Sequence, residues 1–299
     1  MQFAIVDEQH KFGVKQRAFF HQFNAPHLLQ MTATPIPRSL ALAYFGEFQV
    51  SNIDEMPAGR KPITTKIINN TELTKLKPRI LTKISQDQRV FLVTPLIEES
   101  EFLEEIASVT QMYDEICHQY PELAGKVGLL HGKMKSDEKQ DIMQAFKDGK
   151  IVFLISTTVI EVGIDIPNAT IMIIKNSERF GLSQLHQLRG RVGRSDLQSY
   201  CFLHTKSKSG DSYARLQHLE NTNDGFKLSE IDLELRGSGE MLGVRQAGMT
   251  DIPLSILSDT QFLEKVQQAA IRLLEHHEAH VRANFLDSEL QAKMDGMLV

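Results

Sequence analysis

The chain has 299 residues, of which 41% are hydrophobic and 24% charged, a balance typical of globular proteins with a sizeable core. Its formal net charge of −5 excludes a protein that is basic overall, so nucleic-acid binding would have to come from a local basic patch. Two distant cysteines, Cys117 and Cys201, argue against a disulfide scaffold. No signal peptide or apolar run of membrane-spanning length is found, so we expect a cytoplasmic protein.

Short apolar runs at residues 3–6 and 28–31 predict two buried strands that end in polar residues. A stretch rich in proline, glycine and charge, residues 54–62, predicts a linker. Beyond it, the predicted strands are 63–68, 90–94, 127–130, 151–156, 170–174 and 199–204, and the predicted helices are 72–85, 101–120, 137–147 and 183–189. This alternation indicates an α/β fold, a mostly parallel sheet with helices on both faces and ligands at the carboxyl ends of its strands.

The strand pattern stops after about residue 206. A stretch rich in glycine, arginine and aspartate, residues 224–248, follows. A helix with one apolar face is then predicted after Ser258 or Asp259, either of which could cap its first turn. We therefore divide the chain into residues 1–60, residues 61–205 and a mainly helical part, residues 206–299.

An acidic tetrapeptide, residues 7–10, follows the first predicted strand. At such a position Asp7 can hold Mg²⁺, usually through water, and Glu8 can orient and deprotonate an attacking water. Taken alone, the tetrapeptide is better explained as a polar loop. The second strand ends in a Thr-Ala-Thr-Pro string, whose Thr32 and Thr34 could couple one lobe to its neighbour by hydrogen bonds, although such turns are common.

The most informative motif is Gln-Leu-Arg-Gly-Arg-Val-Gly-Arg at residues 187–194. Arginines present planar forks to phosphate oxygens and can act as arginine fingers, while glycines allow close backbone approach. A solvated basic loop is the alternative. It is disfavoured because residues 175–208 hold seven Lys or Arg against two acids in a net acidic chain.

A further segment, residues 156–167, is rich in hydroxyl groups and follows a predicted strand. Thr157 and Thr158, with nearby backbone N–H groups, could bind a nucleic-acid phosphate, and Asp165 could accept a hydrogen bond from a ribose. Alone, this segment could be an ordinary strand-to-turn connection. Because it occurs in the same sequence as the arginine motif, a functional interpretation is favoured.

In this order and spacing, the four motifs resemble the motor of superfamily 2 helicases. Residues 7–10 resemble its Walker B box, 32–34 its coupling motif, 156–167 its fifth motif and 187–194 its sixth. Asp-Glu-Gln-His in the box narrows the resemblance to RecG helicases, because transcription-repair coupling factors usually have Asp-Glu-Glu-Gln there. Residues 224–248 also resemble the RecG translocation motif, a helical hairpin and loop.

The resemblance implies a RecA-like second motor lobe at residues 61–205, a remnant of the first lobe at 1–60 and a translocation module at 206–299. It implies ATP and Mg²⁺ as cofactors and branched or duplex DNA as the partner. It also implies a monomeric protein that does not associate with a membrane. The implied catalytic residues are Asp7, Glu8, His10, Arg191 and Arg194; the ATP-binding residues are Gln187, Gly163, Asp165, Arg191 and Arg194; the coupling residues are Thr32 and Thr34; the DNA or translocation residues are Thr157, Thr158, Arg236, Arg245 and Gln246.

One part of the RecG pattern is missing. RecG proteins carry a wedge domain and a Gly-x-x-x-x-Gly-Lys-Ser/Thr loop before the acidic box, and the nearest imitation in this sequence, at Lys126, lacks the first glycine and the hydroxyl. We therefore expect the chain to need an N-terminal half for activity. The alternatives are a non-catalytic DNA-binding fragment of a decayed gene and a motor fragment of a transcription-repair coupling factor. His276 and His280 could form a metal pair on one helix face, but a solvated face is favoured because no third ligand is apparent.

Overall fold

The computed structural model describes residues 3–7, 27–32, 51, 53, 55, 59–95, 102–157, 165–236 and 260–276. The chain divides into two compact units, residues 54–228 and residues 1–53 together with 229–299. The first unit contains the larger sheet and most of the candidate site.

A six-stranded sheet forms the centre of the unit at residues 54–228. Its strands are β3 (Thr64–Ile68), β4 (Arg89–Val93), β5 (Val127–Leu130), β6 (Phe153–Ser156), β7 (Ala169–Ile174) and β8 (Tyr200–His204). They lie in the order β3-β8-β7-β4-β6-β5, and every neighbouring pair is parallel. All residues of β4 and β7 are buried, as expected for central strands of a parallel sheet covered on both faces.

Helices cover both faces of this sheet. They are α1 (Asn70–Lys75), α2 (Lys77–Ser85), α3 (Phe102–Gln119), α4 (Ser136–Lys147), α5 (Leu182–Arg189) and α6 (Asp211–Asn221), with short 3-10 turns at Pro121–Leu123 and Ser177–Arg179. Val90 and Leu92 share one core with Ile80 of α2 and Val109 of α3. Phe91 points to the opposite face, where its ring centroid lies 4.7 Å from that of Phe146 in α4. The predicted α/β fold is therefore confirmed.

The single helix predicted at residues 72–85 is wrong, because the structure has two helices there. Asn69 caps α1 by accepting a hydrogen bond from the Glu72 backbone N–H at 3.0 Å. Leu76 ends α1, and α2 begins at Lys77 with Pro78 in its first turn. Proline has no N–H to donate and is accommodated in the first turn of a helix, so the chain restarts a helix at this point.

The parallel strands bring several sequence-distant residues to one edge of the sheet. Beyond the strand ends, the N–H of Thr94 donates to the Ser156 carbonyl at 3.0 Å, and the N–H of Thr157 donates to the Leu130 carbonyl at 3.2 Å. The N–H of Lys175 donates to the Val93 carbonyl at 2.8 Å. The residues that follow β4, β5, β6 and β7 therefore share the carboxyl edge, where ligands of parallel α/β sheets bind.

The other unit contains a two-stranded parallel sheet, β1 (Phe3–Asp7) and β2 (His27–Met31), in which Asp7 is paired with Met31. Two more helices, α7 (Gly225–Arg236) and α8 (Thr260–His276), follow α6 along the chain. The helix predicted after Ser258 or Asp259 is confirmed as α8. Among the described residues, no helix combines the length and apolarity that a membrane crossing requires.

Candidate functional site

The arginine motif spans the end of α5 and the loop that follows it. Leu182, Leu185 and Leu188 are buried at helical spacing and fix one face of α5. The helix ends at Gly190, whose N–H donates to the His186 carbonyl at 3.0 Å. Residues 190–194, which we call the arginine loop, then leave the helix. Val192 is buried and anchors the loop in the lobe.

The two glycines of the arginine loop have different roles. Gly190 has φ −67° and ψ −6°, ordinary helical values that any residue can adopt. Gly193 has φ +76°, and a Cβ atom on it would lie 2.8 Å from Cγ1 of Ile63. A side chain at residue 193 would therefore be strained by both the backbone conformation and the contact, so the turn that presents Arg194 requires glycine.

Arg194 joins the arginine loop to the segment at residues 156–167. Its Nη1 lies 3.3 Å from Oδ1 of Asp165, and the two side chains are 28% and 61% exposed. A second contact lies beside this ion pair, in which the Ser195 hydroxyl donates to the Pro167 carbonyl at 2.8 Å. Two of the five residues predicted to bind ATP thus contact each other, and a bound phosphate would compete with the Asp165 carboxylate for the Arg194 guanidinium.

The other predicted residues of this motif lie close by in the chain. Gln187 is in the last turn of α5 and Arg191 is in the arginine loop, and both are half-buried. The N–H of Arg191 donates to the Leu188 carbonyl at 3.1 Å. Gly163 lies outside the described residues.

Two buried polar atoms follow neighbouring strands at the carboxyl edge of β5 and β6. Thr157 directly follows β6 and is fully buried, and its hydroxyl has no hydrogen-bond partner in the part of the chain that the structure describes. His131 directly follows β5, and its Nδ1 is buried without a partner among the same residues. Because Leu130 pairs with Ser156, these side chains follow directly opposed strand ends. An unpaired buried polar group costs about 1–3 kcal/mol, so this pair is a candidate contact for a polar ligand. Thr158 lies outside the described residues.

The predicted acidic and coupling residues are only partly described. Asp7 is the exposed last residue of β1, and Thr32 directly follows β2. Since the two strands are parallel and in register, these residues lie at the same edge of the small sheet. An exposed carboxylate at a strand end suits a Mg²⁺ ion held through water. Glu8, His10 and Thr34 lie outside the described residues.

The predicted translocation residues cannot be located in the same way. Arg236 is the last residue of α7, and its side chain is outside the description, as are Arg245 and Gln246. Within the described ranges, no group of three or more His, Cys, Asp or Glu side chains lies together as a metal site.

Sequence reasoning missed Arg189, which is 2% exposed. Its Nη1 donates to the carbonyl oxygens of Leu219 at 2.9 Å and Thr222 at 2.7 Å, and lies 3.4 Å from Oγ1 of Thr65. Burial lowers the pKa of its guanidinium. The signal that could have revealed it is helical spacing, because Arg189 follows Leu182 and Leu185 on the buried face of α5.

Two histidines have strongly lowered pKa values. Burial, followed by the charge of Arg189, lowers the pKa of His186 to about 4, and Nδ1 of His186 lies 3.0 Å from Nη2 of Arg189. Burial also lowers the pKa of His204 to about 4, with a smaller effect from Lys175. His204 Nε2 lies 2.7 Å from Oδ1 of Asn70. Both rings are therefore neutral near pH 7.

Two protein families match consecutive parts of the chain. The helicase conserved C-terminal domain matches residues 72–196, which contain the strands β4 to β7, the helices α2 to α5 and the arginine loop. The C-terminal part of domain 3 of the ATP-dependent DNA helicase RecG matches residues 222–288.

Curated RecG proteins match most of this chain. The ATP-dependent DNA helicase RecG of Synechocystis sp. is 49% identical over 269 residues, which are 89% of this chain and 32% of that protein. The RecG of Staphylococcus aureus is 45% identical over 274 residues, 91% of this chain and 40% of that protein. The chain thus spans 32–40% of the length of these two relatives.

Solved structures show the same correspondence. A structure of RecG bound to a three-way DNA junction matches with a TM-score of 0.67 and 39% identity, over 88% of this chain and 33% of that one. The Mycobacterium smegmatis helicase Lhr, bound to single-stranded DNA and AMP-PNP, matches with a TM-score of 0.52 and 16% identity over 75% of this chain and 31% of that one. The second match supports the helicase fold alone.

Proposed function

We propose that this chain, which corresponds to the C-terminal portion of RecG helicases, supplies the second motor lobe and translocation module of an ATP-dependent motor that remodels branched DNA. Fork reversal and Holliday junction migration are the reactions that this family resemblance suggests. The observation that carries the proposal is the contact of Arg194 with Asp165, which brings together the two segments that would bind nucleotide. The RecG domain 3 match that follows favours this proposal over a transcription-repair coupling factor.

In the proposed nucleotide site, Arg191 and Arg194 bind the phosphates of ATP, and Asp165 holds Arg194 until a phosphate displaces it. Gln187 and Gly163 complete the nucleotide contacts. Asp7 would hold Mg²⁺, Glu8 would activate water with the help of His10, and Thr32 and Thr34 would couple the lobes. Bound ATP with Mg²⁺ supplies the phosphoryl group whose transfer to water drives the motor.

In the proposed DNA site, the Thr157 hydroxyl and the His131 ring bind a backbone phosphate at the carboxyl edge of β5 and β6. The Thr157 hydroxyl and Nδ1 of His131 are buried and unpaired among the described residues, and a phosphate contact would give each the hydrogen-bond partner that buried polar atoms normally have. Thr158 would extend this contact, and Arg236, Arg245 and Gln246 would act on duplex DNA during translocation. The relative bound to a three-way junction supports branched DNA as the partner.

An activity assay tests the nucleotide site. The chain is joined to the N-terminal part of the Synechocystis RecG, and DNA-stimulated ATP hydrolysis is measured. We expect Arg194→Ala to lower kcat by a factor on the order of 100 to 1,000, as for the loss of an arginine finger or a similar charge-stabilising group. Arg179→Ala, at an exposed arginine of the Ser177–Arg179 turn, is the matched control and should retain activity. Equal activity of both variants would refute the assignment.

The 299-residue chain by itself tests the expectation that activity needs an N-terminal half. We expect it to bind a DNA junction in a salt-sensitive way without DNA-stimulated ATP hydrolysis, because its sequence has no Gly-x-x-x-x-Gly-Lys loop. Turnover that Glu8→Gln abolishes would show that the chain hydrolyses ATP unaided, contrary to this expectation.

A further inference from the structure

Arg189 is a buried arginine inside the candidate site that the proposed function leaves without a role. We infer that Arg189 is a positioning residue that fixes the arginine loop to the first turn of α7. Its side chain is 2% exposed, so it cannot reach a nucleotide phosphate without unfolding its surroundings. Its function must therefore lie in the groups that it holds.

The groups that accept hydrogen bonds from Arg189 identify what it holds. The carbonyl oxygens of Leu219, at 2.9 Å, and Thr222, at 2.7 Å, lie at the carboxyl end of α6. The last carbonyls of a helix have no partner within the helix and form the negative end of its dipole. A planar guanidinium can satisfy two of them at once, which a lysine ammonium does with less geometric specificity. Arg189 thus ties the end of α5 to the end of α6.

A chain of polar contacts continues from Thr222 to α7. The Thr222 hydroxyl accepts a hydrogen bond from the Asp224 N–H at 3.1 Å. The Asp224 carboxylate in turn accepts from the N–H groups of Phe226 at 2.9 Å and Lys227 at 3.3 Å. An aspartate in this arrangement is an N-cap, which fixes where and in which direction a helix begins. All these residues belong to the unit at residues 54–228.

The main chain of Arg189 holds the arginine loop at the same time. Its carbonyl accepts a hydrogen bond from the N–H of Val192 at 3.2 Å, inside the loop that carries Arg191 and Arg194. One residue therefore binds the arginine loop through its backbone and the connection between α6 and α7 through its side chain. If the proposed function holds, a shift of the loop on phosphate binding reaches the first turn of α7 through this residue, and that turn lies within the segment that matches RecG domain 3.

Hydrogen exchange, measured by mass spectrometry on the 299-residue chain without nucleotide or DNA, tests this inference. Arg189→Met should raise amide exchange at residues 190–194 and 224–228 by about tenfold, as expected when a local opening equilibrium loses one or two hydrogen bonds. The matched control is Arg89→Met. Arg89 is also buried, at 4% exposure, and donates to the carbonyl oxygens of Phe146 and Asp87, but it lies at the amino end of β4.

The exchange rates of Arg189→Met and Arg89→Met are compared at temperatures that lie equally far below the Tm of each variant. Faster exchange at residues 224–228 in Arg189→Met but not in Arg89→Met supports the inference, whereas equal changes in both variants overturn it. Thr222→Val provides an independent test should Arg189→Met fail to fold, since it removes only the hydroxyl that accepts from Asp224. It should speed exchange at residues 224–228 and leave 190–194 and the Tm unchanged; no change at 224–228 would refute the connection.

The exchange experiment and the activity assay fail separately. Exchange is measured without ATP and DNA, so a negative result would leave the proposed nucleotide site intact. Loss of the activity assignment at Arg194 would in turn leave the link between Arg189 and α7 unaffected.

Discussion

Replacing Gly193 with alanine gives a sharp test of the arginine loop. An L-residue in the left-handed conformation of Gly193 costs roughly 1–2 kcal/mol. The new Cβ would also lie 2.8 Å from Cγ1 of Ile63, a contact that real Cβ atoms essentially never show, and overpacking of this kind costs about 1–3 kcal/mol. We therefore expect Gly193→Ala to lower the free energy of unfolding by about 2–5 kcal/mol, the sum of the two effects.

Gly190→Ala is the matched control within the same loop. Gly190 has helical backbone angles, and an added Cβ would lie 3.4 Å from the Gln187 carbonyl oxygen, an ordinary contact. Its substitution should change the free energy of unfolding by less than about 1 kcal/mol and can be stabilising. Urea denaturation followed by circular dichroism measures both variants, with the slope m checked for constancy.

A double-mutant cycle separates the two contributions at Gly193. Ile63→Ala removes the atom that the new Cβ would contact but leaves the backbone strain. In its background, Gly193→Ala should cost only about 1–2 kcal/mol, the backbone contribution. Equal costs of Gly190→Ala and Gly193→Ala, or an unchanged cost of Gly193→Ala in the Ile63→Ala background, would refute this account of the loop.

Two further predictions follow from buried polar groups. Thr157→Val replaces a buried hydroxyl, which has no partner among the described residues, with a methyl group of similar size. It should therefore leave Tm unchanged or raised, while it weakens junction binding in fluorescence anisotropy by about five- to tenfold. Unweakened binding would exclude Thr157 from the DNA site. His186 and His204 have pKa values of about 4 in the folded protein, below their usual value near 6.5. Between pH 4 and pH 6.5 the unfolded chain therefore binds more protons than the folded protein. The free energy of unfolding should consequently fall as the pH drops from 6.5 towards 4. Above pH 6.5 this contribution is fully present, and His186→Gln should reduce the fall measured by urea denaturation between pH 7 and pH 5; an identical fall in wild type and variant would contradict the role of His186.

The sequence by itself determined the alternation of strands and helices and the family. Apolar runs such as 170–174 are buried strands because a central strand of a parallel sheet must be apolar on both faces, and this requirement is visible locally. The order of the motifs along the chain indicated a superfamily 2 helicase, and the Asp-Glu-Gln-His box narrowed the resemblance to RecG helicases. The match to RecG domain 3 confirms this resemblance. The roles assigned to Asp7, Glu8 and the translocation residues remain predictions.

Only the tertiary structure decided which residues of the arginine motif face inward and which glycine is required. The sequence treats Gly190 and Gly193 alike, but a positive φ and the proximity of Ile63, 130 positions away in the chain, distinguish them. The sequence likewise does not distinguish Arg189 from the other arginines of the motif. The structure does, because the Arg189 side chain donates to carbonyl oxygens at the end of α6. The local sequence pattern indicates which residues are buried. The order of the strands and the packing of the helices determine which residues they contact. Contacts between residues that are distant in the chain, such as Asp165 with Arg194, therefore depend on the tertiary arrangement.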